Sequence, residues 1–286
     1  MSRRNEISNA SDRNAGRYDR HAALEQEIGR RLLDRVTFQR AEPAVIVDVG
    51  CGTGIAAAAL KKNFRKARVV ALDLSAGMLA AATGQSRLTR PIRLLQADAA
   101  ALPFRRHSVD LVVSNLVLPW LTDPGRLLGQ VRRVLKPGGM MLFSTYGPDS
   151  LEELHVAVTR SGLDCTVPGF SDLLDIGDAL SGAGFREPVM DVDRITLDYP
   201  SVDEMATELE ATGTNLLIDG WAACRQNTGS LSDHWPASGK PGRYALTFEI
   251  LYGAAFGPPE GQPRRTAQGE EASFSVDSLL KSRRMG

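Results

Sequence analysis

Apolar residues along the chain follow two repeating patterns, which together predict an alternation of helices and strands. Over residues 22–36, Leu24, Ile28, Leu32 and Val36 recur at helical spacing. Short apolar runs then alternate with longer segments of helical character. The runs that predict strands lie in residues 44–50, 68–75, 92–99, 108–120 and 140–146. Because strands that alternate with helices form a parallel sheet covered on both faces, this pattern predicts a doubly wound α/β fold.

The remaining sequence is less regular. It predicts a helix that stops at Gly184 and further strands over residues 188–199 and 243–256. Residues 201–242 are irregular with helical stretches, and the polar residues up to Asn14 are expected to be loose. We expect one domain made of an N-terminal helical segment (1–40), a ligand-binding core (41–146), substrate-side helices and last strands (147–257) and a mobile Pro/Gly-rich tail (258–286).

Composition narrows the class of protein. Lys+Arg and Asp+Glu both number 34, so the formal net charge is zero and nucleic acid is not an expected partner. Three scattered cysteines argue against a disulfide framework or a structural metal site. No apolar run is long enough to span a membrane, and the polar N-terminus does not resemble a secretory signal. A reducing cytoplasm is the expected compartment.

A glycine turn after the first strand is the clearest sign of a ligand site. Gly50, Gly52 and Gly54 follow Asp48 in the sequence DVGCGTG. Glycines there permit a tight turn and close approach of a ligand, and the amides at the start of the next helix can bind a polar group. The dinucleotide fingerprint would need a glycine at Ile55 instead, so the turn indicates a different nucleoside ligand.

Polar residues also end the next three strands, where open α/β sheets bind ligands. The carboxylate of Asp73, which is followed by Leu74, can accept hydrogen bonds from both ribose hydroxyls of a nucleoside. Asp98, followed by Ala99, can accept from an adenine amino group. Asn115 ends the fourth strand and is expected to face the reacting group.

This order of features resembles the class I S-adenosylmethionine-dependent methyltransferases. The resemblance covers residues 40–146 and implies a Rossmann-like, seven-stranded, mostly parallel sheet with helical insertions that cover the substrate. It implies S-adenosylmethionine as the cofactor and no metal. The cofactor-binding residues carried over are Asp48, Gly50, Gly52, Gly54, Asp73, Leu74, Asp98, Ala99 and Asn115.

A more specific likeness extends over nearly the whole chain. Tyr18, Asp19, Ala22 and Gln26 before the glycine turn, and FSTYGPDSLEELHVA after the fifth strand, resemble the malonyl-acyl-carrier-protein O-methyltransferases of biotin synthesis. The resemblance implies methylation of the free carboxylate of a malonyl thioester, with acyl carrier protein as the partner. A carboxylate is already ionised at neutral pH, so this reaction needs no general base. We expect a monomer.

Two departures and two alternatives stay open at the sequence level. Pro119 stands where this family usually has glutamine before the tryptophan, and residues 222–242 match poorly. Similar segments occur in the complex I assembly factor that hydroxylates a protein arginine. A non-catalytic S-adenosylmethionine-binding protein is the other alternative, because a fold does not fix an activity.

The substrate-side candidates rest on residue chemistry alone. Tyr18 offers a ring to a cation and a hydroxyl to a carboxylate, and Trp120 can form a wall of the pocket. His155 is a candidate for binding the substrate carboxylate. Further cationic candidates are Arg20, His21, Arg186 and Arg194. The basic run over residues 61–68 is expected to be a solvated helix end, with docking of an acidic carrier protein as the weaker hypothesis.

Overall fold

Two layers of helices enclose one seven-stranded sheet in the computed structural model of this chain. The structure describes residues 3–36, 42–87, 89–237, 240, 242–259, 264–266 and 269–271. The helices are α1 (Arg3–Asn14), α2 (Tyr18–His21), α3 (Ala23–Val36), α4 (Ile55–Asn63), α5 (Ala76–Ala82), α6 (Pro124–Val134), α7 (Glu152–Ser161), α8 (Leu173–Gly182), α9 (Val202–Thr212), α10 (Trp221–Gln226) and α11 (Thr228–His234).

The sheet confirms the predicted doubly wound architecture. Its strands are β1 (Val45–Val49), β2 (Arg68–Asp73), β3 (Arg93–Gln96), β4 (Val109–Asn115), β5 (Leu135–Tyr146), β6 (Arg186–Tyr199) and β7 (Tyr244–Phe256). Their order is β3-β2-β1-β4-β5-β7-β6, with β7 antiparallel to both neighbours and the first five strands mutually parallel. The carboxyl ends of β1 to β5 therefore meet at one edge.

Alternation along the central strands divides the core between the two faces. Ile46 packs into the layer that contains α3 and α4, whereas Val47 and Val49 pack into the layer that contains α6 and α8. Side chains of a strand point to opposite faces, so a strand buried on both faces is apolar along most of its length. Leu24, Ile28 and Leu32 of α3 are buried as their spacing predicts, and the side chain of Val36 lies outside the described residues.

The expectation that residues up to Asn14 are loose is wrong, because they form α1. This helix has almost no apolar stripe, so hydrophobic periodicity could not reveal it. Polar contacts hold it instead: Asp12 Oδ1 accepts from Ser75 Oγ at 2.5 Å and from the Gly77 amide at 2.7 Å, and Asn14 Nδ2 donates to the Glu210 carbonyl at 2.7 Å.

The expectation that argued against a disulfide framework overlooked one disulfide bond. Cys165 and Cys224 are bonded across a sequence separation of 59 residues, with their Cα atoms 6.3 Å apart, and Cys51 is a buried free thiol. The odd number of cysteines does not indicate which of them the fold brings together, so this pair could not be predicted from the count. The bond ties the loop after α7 to α10.

The tail expected to be mobile includes a short two-stranded pairing, β8 (Arg264–Thr266) with β9 (Gly269–Glu271). The rest of that segment from residue 260 lies outside the described residues. Among the described helices, none is long and apolar enough to cross a membrane.

Candidate active site

A cavity of about 410 Å³ opens at the carboxyl edge of the sheet. Residues at the ends of β1 to β5 form its floor, and α1, α2, α3 and the turn after α9 cover it. Nine of the residues predicted from the sequence line it: Tyr18, Gly50, Gly52, Asp73, Leu74, Asp98, Ala99, Asn115 and Trp120. Its size lies in the range of roughly 300–1,000 Å³ that is usual for small-molecule sites.

The glycine turn adopts a backbone that only glycine accommodates without strain. Gly50 has φ +68°, and a Cβ placed there would lie 2.2 Å from Val117 Cγ2. Gly52 has φ +52°, but nothing lies within 4 Å of the space where its Cβ would be. Steric crowding therefore requires glycine at the first position, and the second leaves an open approach to the backbone.

Asp73 joins the end of β2 to the glycine turn. Its Oδ2 accepts from the Gly52 amide and its Oδ1 accepts from the Ser75 amide, each at 2.9 Å. Burial raises the pKa of this carboxyl, and the two amide hydrogen bonds oppose that shift. Asp73 thus has a fixed orientation on the cavity wall. Its remaining lone pairs can accept hydrogen bonds from hydroxyl groups of a ligand.

Asp48 lies deeper than the other predicted residues and does not line this cavity. It is buried at the end of β1 and faces an adjoining cavity of about 580 Å³ between α3 and the glycine turn. Its Oδ2 has no hydrogen-bond partner among the described residues. Burial, followed by the neighbouring Asp73, raises the pKa of Asp48 to about 7.

Asp98 is paired across the mouth of the cavity. Its Oδ2 forms an ion pair with Arg4 Nη1 at 3.1 Å, and its Oδ1 accepts from the Ala100 amide at 2.9 Å. Asp98 therefore connects the loop after β3 to α1, which covers this end of the cavity.

Asn115 holds α3 against the ends of β4 and β5. Its Nδ2 donates to the Glu25 carbonyl at 3.0 Å, and its Oδ1 accepts from Ser144 Oγ at 2.7 Å. The amide is thus fixed by two protein hydrogen bonds while one of its edges faces the cavity.

Tyr18 and Trp120, the two residues predicted to contact substrate, both line the same cavity. Burial, followed by the charge of Glu25, raises the pKa of Tyr18 well above its ordinary value. The phenol therefore stays protonated and can donate a hydrogen bond. Trp120 ends a 3₁₀ turn over Leu118–Trp120, and Pro119 lies within that turn.

The other substrate-side candidates are not brought to the cavity. His155 is exposed on α7, Arg186 pairs with Glu187, and Arg194 pairs with Asp149. Arg20 and His21 also lie off the cavity wall. Gly54 precedes α4 with φ +81° and shapes the turn without lining either cavity.

Comparison with known proteins places this chain in a family. A methyltransferase-domain family model matches residues 47–143. The malonyl-[acyl-carrier protein] O-methyltransferase of Methylovorus sp. (strain MP688) is 36% identical over 261 residues, covering 88% of each chain. A protein of the same name, with the number 1, from Coxiella burnetii is 35% identical over 281 residues, covering 97% of this chain and 96% of that one. The chain belongs to the malonyl-[acyl-carrier protein] O-methyltransferase family.

Solved structures show that this family member has the methyltransferase fold. The YcgJ protein of Bacillus subtilis superposes with a TM-score of 0.59 at 16% identity, covering 80% of this chain and 98% of that one. The Haemonchus contortus phosphoethanolamine N-methyltransferase 2, in complex with S-adenosyl-L-methionine, gives a TM-score of 0.58 at 20% identity and covers 90% of this chain and 60% of that one. The predicted fold class and family are therefore confirmed.

Several cavity residues of this O-methyltransferase family member escaped sequence reasoning. Tyr146 ends β5, so the rule that located Asp73, Asp98 and Asn115 at strand ends would also have found it. The others carry no comparable signal, because helices and turns distant in sequence supply them: Arg3, Arg4, Glu25, Arg126, Thr212 and Thr214. No cluster of three metal-ligating side chains is present within the described ranges.

Proposed function

We propose that this chain transfers the methyl group of S-adenosylmethionine to the free carboxylate of a malonyl thioester on acyl carrier protein. The observation that supports it best is the coincidence of two independent facts. Relatives that match nearly the full length are named for this reaction. Seven of the nine predicted cofactor-binding residues and the uncharged phenol of Tyr18 also line one cavity.

The described residues suit S-adenosylmethionine. The open space at Gly52 allows a ligand to lie against the glycine turn, and Asp73 offers carboxylate lone pairs to ribose hydroxyls. The loop of Asp98 and Ala99 would take the adenine, and α1 closes over it. The adenosine would then lie over the ends of β2 and β3, with the methionyl part directed across β1 toward β4.

When bound, S-adenosylmethionine supplies a methyl group on a positively charged sulfonium. The chain's task is to bring the malonyl carboxylate into line with that methyl group, because positioning supplies much of the rate in such transfers. The Tyr18 hydroxyl donates to the carboxylate and orients it. Trp120 and Tyr146 bound the substrate side and exclude water. No residue has to take up a proton, since the nucleophile is already ionised.

The rim of the cavity provides cations that suit an acidic carrier. Arg3 and Arg126 are exposed residues on its lining, on α1 and at the start of α6. Methylation removes the negative charge of the terminal carboxylate of the malonyl group. Enzymes that accept apolar acyl chains can then accept the product. This is the property that an early step of biotin synthesis requires. The names of these two relatives do not favour the arginine hydroxylase or the non-catalytic alternative.

A methyl-transfer assay tests this proposal. Purified protein is incubated with methyl-labelled S-adenosylmethionine and malonyl-acyl carrier protein, with acetyl-acyl carrier protein as the control that lacks the carboxylate. We expect label only on the malonyl carrier, released by mild ester hydrolysis. Equal labelling of both carriers, or no labelling while S-adenosylhomocysteine still binds, would refute the proposed acceptor.

A further inference from the structure

Glu25 is a buried carboxyl that the mechanism above leaves unused. It lies in the first turn of α3 and lines both the cavity at the carboxyl edge of the sheet and the adjoining one. Its backbone carbonyl accepts from Asn115, so its position is fixed relative to the end of β4. Glu25 therefore lies where the methionyl part of the cofactor is expected.

One oxygen of the Glu25 side chain lacks a hydrogen-bond partner. Its Oε2 is shielded from solvent and makes no hydrogen bond among the described residues. Burial, with a smaller contribution from the charge of Glu208, raises its pKa to about 7, and the Thr212 hydroxyl opposes that shift. A buried carboxylate oxygen without a hydrogen-bond partner is costly, which points to a group supplied by a ligand.

Among the described residues, no cation acts on the Glu25 carboxyl. Tyr18 of α2, Tyr146 of β5 and Glu208 of α9 are its neighbours, and Tyr199 of β6 donates to Glu208 at 2.7 Å. All of these are neutral or negative. A second carboxylate, such as that of the malonyl substrate, would be repelled by an ionised Glu25. The environment therefore favours a positively charged ligand group.

The strand order indicates which positive group reaches Glu25. Asp73 at the end of β2 and Asn115 at the end of β4 are separated by two strand spacings, about 10 Å. If adenosine is held over β2 and β3, the methionyl chain crosses β1 and its α-ammonium group arrives beside Asn115 and Glu25. The sulfonium, nearer the ribose, lies closer to the middle of that path.

We propose that the Glu25 carboxylate binds the α-ammonium group at the methionyl end of S-adenosylmethionine. The inference rests on the proposed function. An ammonium–carboxylate hydrogen bond is charge-assisted and would satisfy the unpartnered oxygen. It would fix the far end of the cofactor while Asp73 fixes the ribose, which sets the direction of the sulfonium methyl group.

Calorimetric titration at pH 8 with two adenosine ligands separates this contact from a structural role. S-adenosylhomocysteine carries the α-ammonium, whereas 5′-methylthioadenosine lacks the whole amino-acid part. In Glu25→Gln we expect the Kd for S-adenosylhomocysteine to rise about 10- to 100-fold, as for one hydrogen bond to a charged group. The Kd for 5′-methylthioadenosine should stay within about twofold. Glu152→Gln, an exposed glutamate on α7, is the matched control and should alter neither.

Other outcomes overturn the assignment. Equal weakening of both ligands would show that Glu25 maintains the cavity rather than contacting the ammonium. Unchanged binding of S-adenosylhomocysteine in Glu25→Gln would exclude the contact. Failure of S-adenosylhomocysteine to bind the wild-type protein would refute the cofactor assignment itself, which distinguishes that failure from failure of the Glu25 proposal.

Discussion

At the scale of single residues, burial decides what the polar side chains of the site can do. Tyr18 is surrounded by Glu25, Tyr146 and Asp73, and each of these disfavours its ionisation. An ordinary phenol is protonated at neutral pH in any case. The surroundings of Tyr18 keep it protonated, and able to donate a hydrogen bond, to higher pH. The same desolvation holds back the ionisation of Asp48 and Glu25, whose pKa values both rise to about 7.

Replacing Tyr18 by phenylalanine tests its role as the donor to the substrate carboxylate. Losing a hydrogen bond to a charged group costs about 1.5–3 kcal/mol, so kcat/KM for malonyl-acyl carrier protein should fall by about 10- to 100-fold. The Kd for S-adenosylhomocysteine should change little, because the ring remains in place.

The matched control for this prediction is Tyr244→Phe. Tyr244 bonds to Ser232, away from the cavity, so this change should leave kcat/KM near the wild-type value. Full activity in Tyr18→Phe would assign Tyr18 to packing alone.

At the scale of elements, strands were easier to predict than the covering helices. The four inner parallel strands, β1, β2, β4 and β5, stand out as apolar runs because they are buried on both faces, whereas the edge strand β3 is only partly buried. α1 is held by side-chain contacts such as Asp12 with Ser75 and by the ion pair of Arg4 with Asp98. Contacts of this kind depend on partners distant in the sequence, and no local periodicity signals them.

The disulfide between Cys165 and Cys224 yields a direct prediction. Unfolded in denaturant without reductant, the protein should expose one reactive thiol, that of Cys51, and three after reduction. Reduction should also lower the melting temperature. Chain entropy for a loop of this length suggests a loss of about 4 kcal/mol at most, and measured losses are often smaller.

A double variant, Cys165→Ser with Cys224→Ser, serves as the control for this experiment. Its melting temperature should no longer respond to reductant. Three thiols titrated before reduction would contradict the pairing of Cys165 with Cys224.

At the scale of the whole molecule, the buried carboxyls make stability depend on pH. Asp48 has a folded-state pKa of about 7, above the ordinary value near 3.9 that applies to the unfolded chain. The folded state then holds this proton more tightly than the unfolded state does. The contribution to stability is fully present below the unfolded pKa and is lost as pH rises through about 7.

Denaturant unfolding of the ligand-free protein at pH 5 and pH 8 measures this effect. Asp48 alone should reduce the free energy of unfolding by about 2–3 kcal/mol over that interval, so Asp48→Asn should flatten the wild-type dependence by that amount. Asp233→Asn, at an exposed position on α11, should leave the dependence unchanged. A wild-type slope that persists in Asp48→Asn would show that Asp48 ionises normally in the folded state.

The sequence by itself determined the sheet, the glycine turn and the strand-end residues that form the floor of the cavity. Strand burial and strand-end chemistry are local properties, so Asp73, Asp98 and Asn115 could be placed by their neighbours in the chain. Only the tertiary structure decided which residues cover that cavity. There, side chains such as Glu25, Tyr146 and Thr212 come together from α3, β5 and α9. Their proximity follows from how helices pack over the sheet edge, and residue order carries no periodic signal of that packing.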